Sequence, residues 1–93
     1  MEPHKSHDQL KQDITLASQE VKIGTDYVHY KNANKTYRPL YFATLEATDE
    51  LCVVYQAQYD DKLVFVRPIT EWQETLEYQG KTLKRFTPVT SEL

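Results

Sequence analysis

The sequence predicts a mainly β domain, a small barrel or roll of five or six strands preceded by one N-terminal helix. Three observations predict it. The chain has 93 residues, the size of a single domain. Its seven tyrosines, three phenylalanines and one tryptophan all fall after the first two dozen positions. Past Gly24, short runs rich in apolar residues alternate with turn residues, the spacing of a small all-β domain. The organisation that follows is a helical extension over residues 1–23 and a β domain over residues 24–93.

Each element has its own local reason. Ser6 stands three before Gln9, the spacing of a capping box. Leu10, Ile14, Ala17 and Val21 then recur at steps of four, three and four, one face of a helix that Gly24 would end. Residues 27–31 read as a strand. Asn32-Ala33-Asn34 reads as its turn, because asparagine tolerates left-handed backbone and bonds locally. Residues 36–45 form the second strand, in which Pro39 removes one ladder donor and marks an edge or a bulge. After a charged loop at 46–50, residues 51–59 give the clearest strand, and Asp60-Asp61 turns it into a fourth at 63–67. Pro68 stops that ladder, and Thr70 is placed to cap one helical turn that carries Trp72. Residues 76–78 and 84–89 are two last strands around Gln79-Gly80-Lys81.

Alternation assigns faces. Leu51, Val53, Tyr55, Ala57 and Tyr59 share one face of the third strand, and Tyr41, Ala43 and Leu45 share one face of the second. Leu40, Phe42, Cys52 and Val54 then form a second apolar patch that needs a cover. The expected cover is the helix, through Leu10, Ile14 and Val21; the competing one is a second copy of the chain. On this register Tyr30 and Tyr41 are expected inside, Tyr27 and Tyr37 outside.

Composition limits the partners. A net charge of −3, with no basic tail and no block of like charge, gives no nucleic-acid footprint. Lys31, Lys35 and Arg38 cluster at the first hairpin, but Asp49, Glu50, Asp60 and Asp61 occupy other loops. Cys52 is the only cysteine, so an internal disulfide is excluded, and it reads as a small buried hydrophobe rather than a nucleophile. With no signal-peptide region and no membrane-length apolar run, a cytoplasmic location is expected. His4 and His7 are too few for a metal site. Glu71, Glu74 and Glu77 lack the further oxygen ligands calcium needs and read as a solvated face. No cofactor motif appears.

Several residue groups together resemble the DUF1653 family of small bacterial domains of unknown function. They are Tyr27-Val28-His29-Tyr30-Lys31, Val53-Val54-Tyr55 with Tyr59 behind it, Phe65-Val66-Arg67-Pro68 with Trp72 four residues on, and Arg85-Phe86. The likeness runs over residues 24–89. Asn32 stands where that family has glycine, Phe65 where it has tryptophan, and Leu45-Glu46-Ala47-Thr48 where it has a His-Ser-Glu-Thr-like stretch. The resemblance implies an SH3-like roll and no particular activity.

Beside the acidic series, two groups are weighed for chemistry. His29 shares a strand face with Tyr27 and Lys31, but no acid stands at fixed spacing to orient its ring. Arg67 and Arg85 lie next to aromatic residues and suit a carboxylate or phosphate; the structural alternative is pairing with Glu71, Glu74 or Asp60. Two function readings follow. The favoured one is a non-catalytic module for a protein or peptide partner, monomeric or weakly dimeric, with Tyr27, His29, Lys31, Tyr37, Arg67, Trp72 and Arg85 as its candidate surface. The rival is a small-ligand or enzymatic site built on His29, Tyr55, Arg67 and Arg85.

Overall fold

Ser6 starts the first helix: its Oγ accepts the Gln9 N–H at 3.1 Å, and α1 runs His7–Ser18. The computed structural model describes residues 5–89, the Ala33 side chain excepted, so His4 and the two chain ends lie outside the described residues. The helix stops short of the expected end at Gly24. Lys22 explains this, because its Nζ donates to the carbonyls of Ser18 and Gln19 and its N–H donates to Tyr27 Oη. Orphan carbonyls are thereby met by a side chain, and the backbone is free to turn. Gly24 serves that turn instead, at φ +84°, with its N–H on the Pro39 carbonyl. No helix among the described residues is long and apolar enough to cross a membrane.

Seven strands follow: β1 Tyr27–His29, β2 Asn32–Leu45, β3 Glu50–Ala57, β4 Val64–Pro68, β5 Thr75–Tyr78, β6 Lys81–Lys84 and β7 Phe86–Pro88. A single helical turn, α2, spans Ile69–Trp72. Five antiparallel strands form one sheet in the order β4-β3-β2-β1-β7, and β5 and β6 form a separate hairpin. Gln79 and Gly80, both at positive φ, close that hairpin as its two-residue turn. The large sheet is a curled roll and not a closed barrel. Its curl is shown by its two edge strands, since the Arg67 guanidinium of β4 lies 5.7 Å from the centre of the Phe86 ring of β7.

Two expectations about the early strands shift. The first hairpin turns at Tyr30 and Lys31, two residues before the expected Asn32-Ala33-Asn34, because Asn32 already pairs with His29. Asn34 does make its local bond, N–H to Asn32 Oδ1, but inside an irregular stretch of β2. Thr70 does not cap α2, whose N-cap is Pro68 with no side-chain bond.

The larger correction concerns faces. Pro39 pairs with Tyr55, yet Tyr41 pairs with Val54 and Phe42 with Val53, so Leu40 is an extra residue at a β-bulge. The proline signalled the irregularity, but a one-residue slip exchanges every side chain beyond it. Phe42 therefore joins Val53 on the inner face and packs against the core, while Tyr41 lies outside, 67% exposed, beside Val54 and the exposed Val66. Tyr27 is buried at 3% and Tyr37 and Tyr30 are half-buried, so the expected order of the four tyrosines is largely reversed. The helix changes side too. Val21, just past the helix, joins the inner core against which Phe42 packs, and Leu16, Ala17 and Glu20 line one pocket with Leu51 and Ile69 of that inner side.

The core is a ring cluster. Val21, Tyr27, Val53, Tyr55, Trp72 and Phe86 are buried together. Trp72 stacks on Phe86 with centroids 3.9 Å apart, and Tyr55 and Tyr27 meet the indole edge-on at 5.0 and 5.3 Å. Large-to-small substitution at such rings costs roughly 3–5 kcal/mol through lost burial and the residual cavity. Trp72→Ala is expected to lower unfolding free energy by that amount in urea titration. Tyr41→Ala should stay within about 0.5 kcal/mol of the parent, as for exposed positions generally. A larger loss at Tyr41 than at Trp72 would contradict the register described.

Candidate functional site

Strand register places one row of side chains on the inner face at one end of the roll. His29 of β1 stands opposite Phe86 of β7, and Tyr55 of β3 stands opposite Phe65 of β4. Tyr37 of β2 pairs with Ala57, two residues along β3 from Tyr55, and Arg67 follows Phe65 by two. Because residues two apart share a face, these positions converge as the sheet curls. With Tyr59, which follows β3, they line an open cleft of about 240 Å³.

The cleft walls are rings in edge-to-face contact. Tyr37 meets Tyr55, Tyr59 and Phe86 at 5.9, 5.5 and 5.8 Å, and His29 meets Phe86 at 5.1 Å. Such geometry suits the quadrupoles of the rings and fixes their mutual positions. Phe86 is shared, stacking on Trp72 in the core and lining the cleft.

Its polar groups are few and defined. Arg67 donates from Nε to Tyr55 Oη at 3.4 Å and from Nη1 to Glu71 at 3.3 Å. Among the described residues its Nη2 donates to no protein acceptor. His29 Nδ1 accepts the Lys31 N–H at 3.3 Å, so in the neutral ring Nε2 carries the hydrogen. Burial first, and then the charges of Arg67, Arg85 and Lys31, hold the imidazole below its ordinary value of 6.5. Tyr37 and Tyr59 share a hydrogen bond of 2.6 Å between their hydroxyls. Burial and that bond push the Tyr37 phenol up to about 12, so it stays protonated. Lys35 Nζ sits 4.8 Å from the Tyr59 ring centre.

The residues predicted as a surface separate into three groups. His29, Tyr37 and Arg67 line the cleft together with Tyr55. Tyr27 and Trp72 are core residues. Lys31 lies in the first turn, 5.8 Å from the Tyr30 ring, and Arg85 is engaged by the Glu74 carboxylate and the Glu71 carbonyl. Arg38 pairs with Asp26 at 2.7 Å. Phe65, Phe86 and Tyr59 complete the cleft and were not proposed as its lining. The signal for Phe65 was its spacing of two from Arg67; for Phe86, nothing local separates a core ring from a lining ring.

Catalytic geometry is not favoured by these contacts. The imidazole accepts a backbone N–H at Nδ1, whereas a triad histidine donates there to a carboxylate. Cys52 is buried, and burial with Glu50 nearby pushes its thiol up. Among the described residues no group of three His, Cys, Asp or Glu side chains is placed to hold a metal ion.

Comparison with known proteins follows the same span. Residues 25–88 match the sequence model of a family described as "Protein of unknown function (DUF1653)". A crystal structure of a DUF1653 protein from Bordetella bronchiseptica superposes with a TM-score of 0.65 at 32% identity, covering 80% of this chain and 97% of that one. No curated protein matches the chain.

The depressed His29 pKa has a consequence for stability. The unfolded chain binds this proton more readily than the folded one, so stability is complete above the ordinary value of 6.5 and falls as pH drops through it. Free carboxylic acids in model peptides titrate lower, near 4. Urea midpoints of the parent chain should therefore decline as pH is lowered below 6.5, and those of His29→Gln should decline less over the same mildly acidic range. An equal decline in both proteins would contradict the burial of the imidazole.

Proposed function

The chain belongs to the DUF1653 family, and we propose that it acts as a non-catalytic binding module that receives an extended segment of a protein partner. One observation carries this reading: side chains of five strands meet in a ring-walled open cleft beside the edge strand of the sheet. Its volume of about 240 Å³ lies below the roughly 300–1,000 Å³ of cavities that enclose a drug-sized molecule. A single side chain or chain end of a larger partner fits that space better than a complete metabolite does.

Strand β4 supports the same reading. It pairs with β3 on one side and, among the described residues, with no strand on the other. Val64, Phe65 and Val66 are all exposed, with no proline or lysine inside the run to blunt it. An extended peptide added to such an edge gains main-chain hydrogen bonds, while alternate side chains reach the pockets of one face. Phe65 and Arg67 belong to both the strand and the cleft, so edge and cleft form one surface.

The small-ligand or enzymatic reading needs His29, Tyr55, Arg67 and Arg85 at one place. Three of them line the cleft, and Arg85 is engaged elsewhere by Glu74. Against nucleic acid counts the pairing of Arg38, one of the first-hairpin cations, with Asp26.

A display library of extended peptides tests the module. Enriched peptides are expected to shift the amide resonances of residues 64–67 and of the cleft residues. Tyr59→Ala/Phe65→Ala should weaken them about tenfold or more, the effect of removing aromatic contacts at the centre of an interface. No enrichment, shifts confined to α1, or unchanged affinity in the double variant would contradict the reading.

A further inference from the structure

We propose that the cleft takes the free C-terminal carboxylate of an extended segment whose last residue is large and apolar. This rests on the module reading above and names what the cleft selects. Three features of the cleft lead to it.

The first is charge. Arg67 is the one guanidinium lining the cleft, and its Nη2 is not engaged by protein among the described residues. The bonds from Nε to Tyr55 and from Nη1 to Glu71 fix the plane of the fork. A fixed fork with a free nitrogen is organised for an anionic oxygen, and charge-assisted bonds are the stronger kind. His29 adds a neutral donor at Nε2, so the cleft offers hydrogens from two sides and no carboxylate of its own among its lining residues.

The second is what the rings are already doing. Rings around a small cavity would by themselves suit a cation. Here the Arg67 guanidinium, which lines the cleft, lies 5.7 Å from the centre of the Phe86 ring. Lys35, outside the lining, lies 4.8 Å from the centre of the Tyr59 ring. One ring of the cleft therefore already meets the protein's own cation and a second has one close by, so a further positive charge would be repelled. The remaining ring surface is apolar.

The third is the pairing of both chemistries in one small space. An internal Asp or Glu brings a carboxylate on one or two methylenes and leaves most of the ring surface uncovered. A C-terminal residue carries carboxylate and side chain on the same carbon. One such residue can reach Arg67 with its carboxylate and fill the space among Tyr37, Tyr55, Phe65 and Phe86 with its side chain. The residues before it would continue along the β4 edge. A phosphate dianion fits less well, since one nitrogen of the only lining guanidinium is committed to Glu71.

Four small probes on the full chain decide the matter by amide and arginine-side-chain NMR shifts. N-acetyl-phenylalanine is expected to shift Phe65, Arg67 and Phe86 saturably. N-acetyl-phenylalaninamide, which lacks only the charge, should bind about tenfold or more weakly. N-acetyl-glutamic α-amide and benzyltrimethylammonium should give no saturable shift at these residues. Arg67→Gln should bring the acid down to the affinity of the amide, with unchanged shifts in α1 showing that the fold is retained. Equal binding of acid and amide, tighter binding of the cation, equal binding of the glutamyl probe, or no binding of the acid would each overturn the proposal. An Arg67→Gln protein that fails to fold leaves the decision to the four probes on the parent chain. Peptides enriched on the chain that bind equally as C-terminal amides would sustain the module and sink the carboxylate.

Discussion

The stack of Trp72 on Phe86 is the contact on which the rest depends. Trp72 comes from the single turn that follows β4, and Phe86 from β7 at the opposite edge of the same sheet. A five-stranded antiparallel sheet has no need to bring its edges together. This one does, because burying an indole against a phenyl ring removes a large apolar area from water, and the sheet must curl for the two to touch. Tyr55 from the middle of the sheet and Tyr27 from β1 close on the same indole. A chain of this size has a modest interior, and its largest rings hold that interior together.

The cleft is the unfilled end of the same arrangement. Phe86 belongs to both, so whatever sets its position sets the cleft as well. Arg67 reaches that ring from the facing edge and is held by Tyr55 and Glu71. The electrostatic character follows from the packing. Partial burial beside three cations keeps His29 neutral, and the Tyr37–Tyr59 bond keeps Tyr37 a phenol. One fixed positive group amid uncharged rings and hydroxyls remains.

Element order could be read from the residues because each signal was local. Ser6 with Gln9 gave the helix start, Asp60-Asp61 the turn after β3, Pro68 the end of β4, and Gln79-Gly80 the last hairpin. Faces were harder to read. Pro39 announced an irregularity, but nothing in the run Arg38-Pro39-Leu40-Tyr41-Phe42 says whether the extra residue is absorbed at Leu40 or elsewhere, and that choice moved Phe42 in and Tyr41 out. The helix end was misplaced for a related reason: Lys22 caps by a side-chain bond that apolar periodicity does not register. Of the cleft, His29, Tyr37, Tyr55 and Arg67 were legible as chemistry-bearing residues. Their convergence depends on the curl, and the pairing of Arg85 with Glu74 across eleven positions depends on the β5–β6 hairpin.

The most direct test of this account is a nuclear Overhauser spectrum of the folded chain, read at its one tryptophan. If the edges of the sheet are drawn together as described, protons of the Trp72 indole show strong cross-peaks to the Phe86 ring, and the Phe86 ring shows cross-peaks to the Arg67 side chain. An indole with cross-peaks only to its chain neighbours, exchanging freely with water, would contradict the curled sheet and the cleft together.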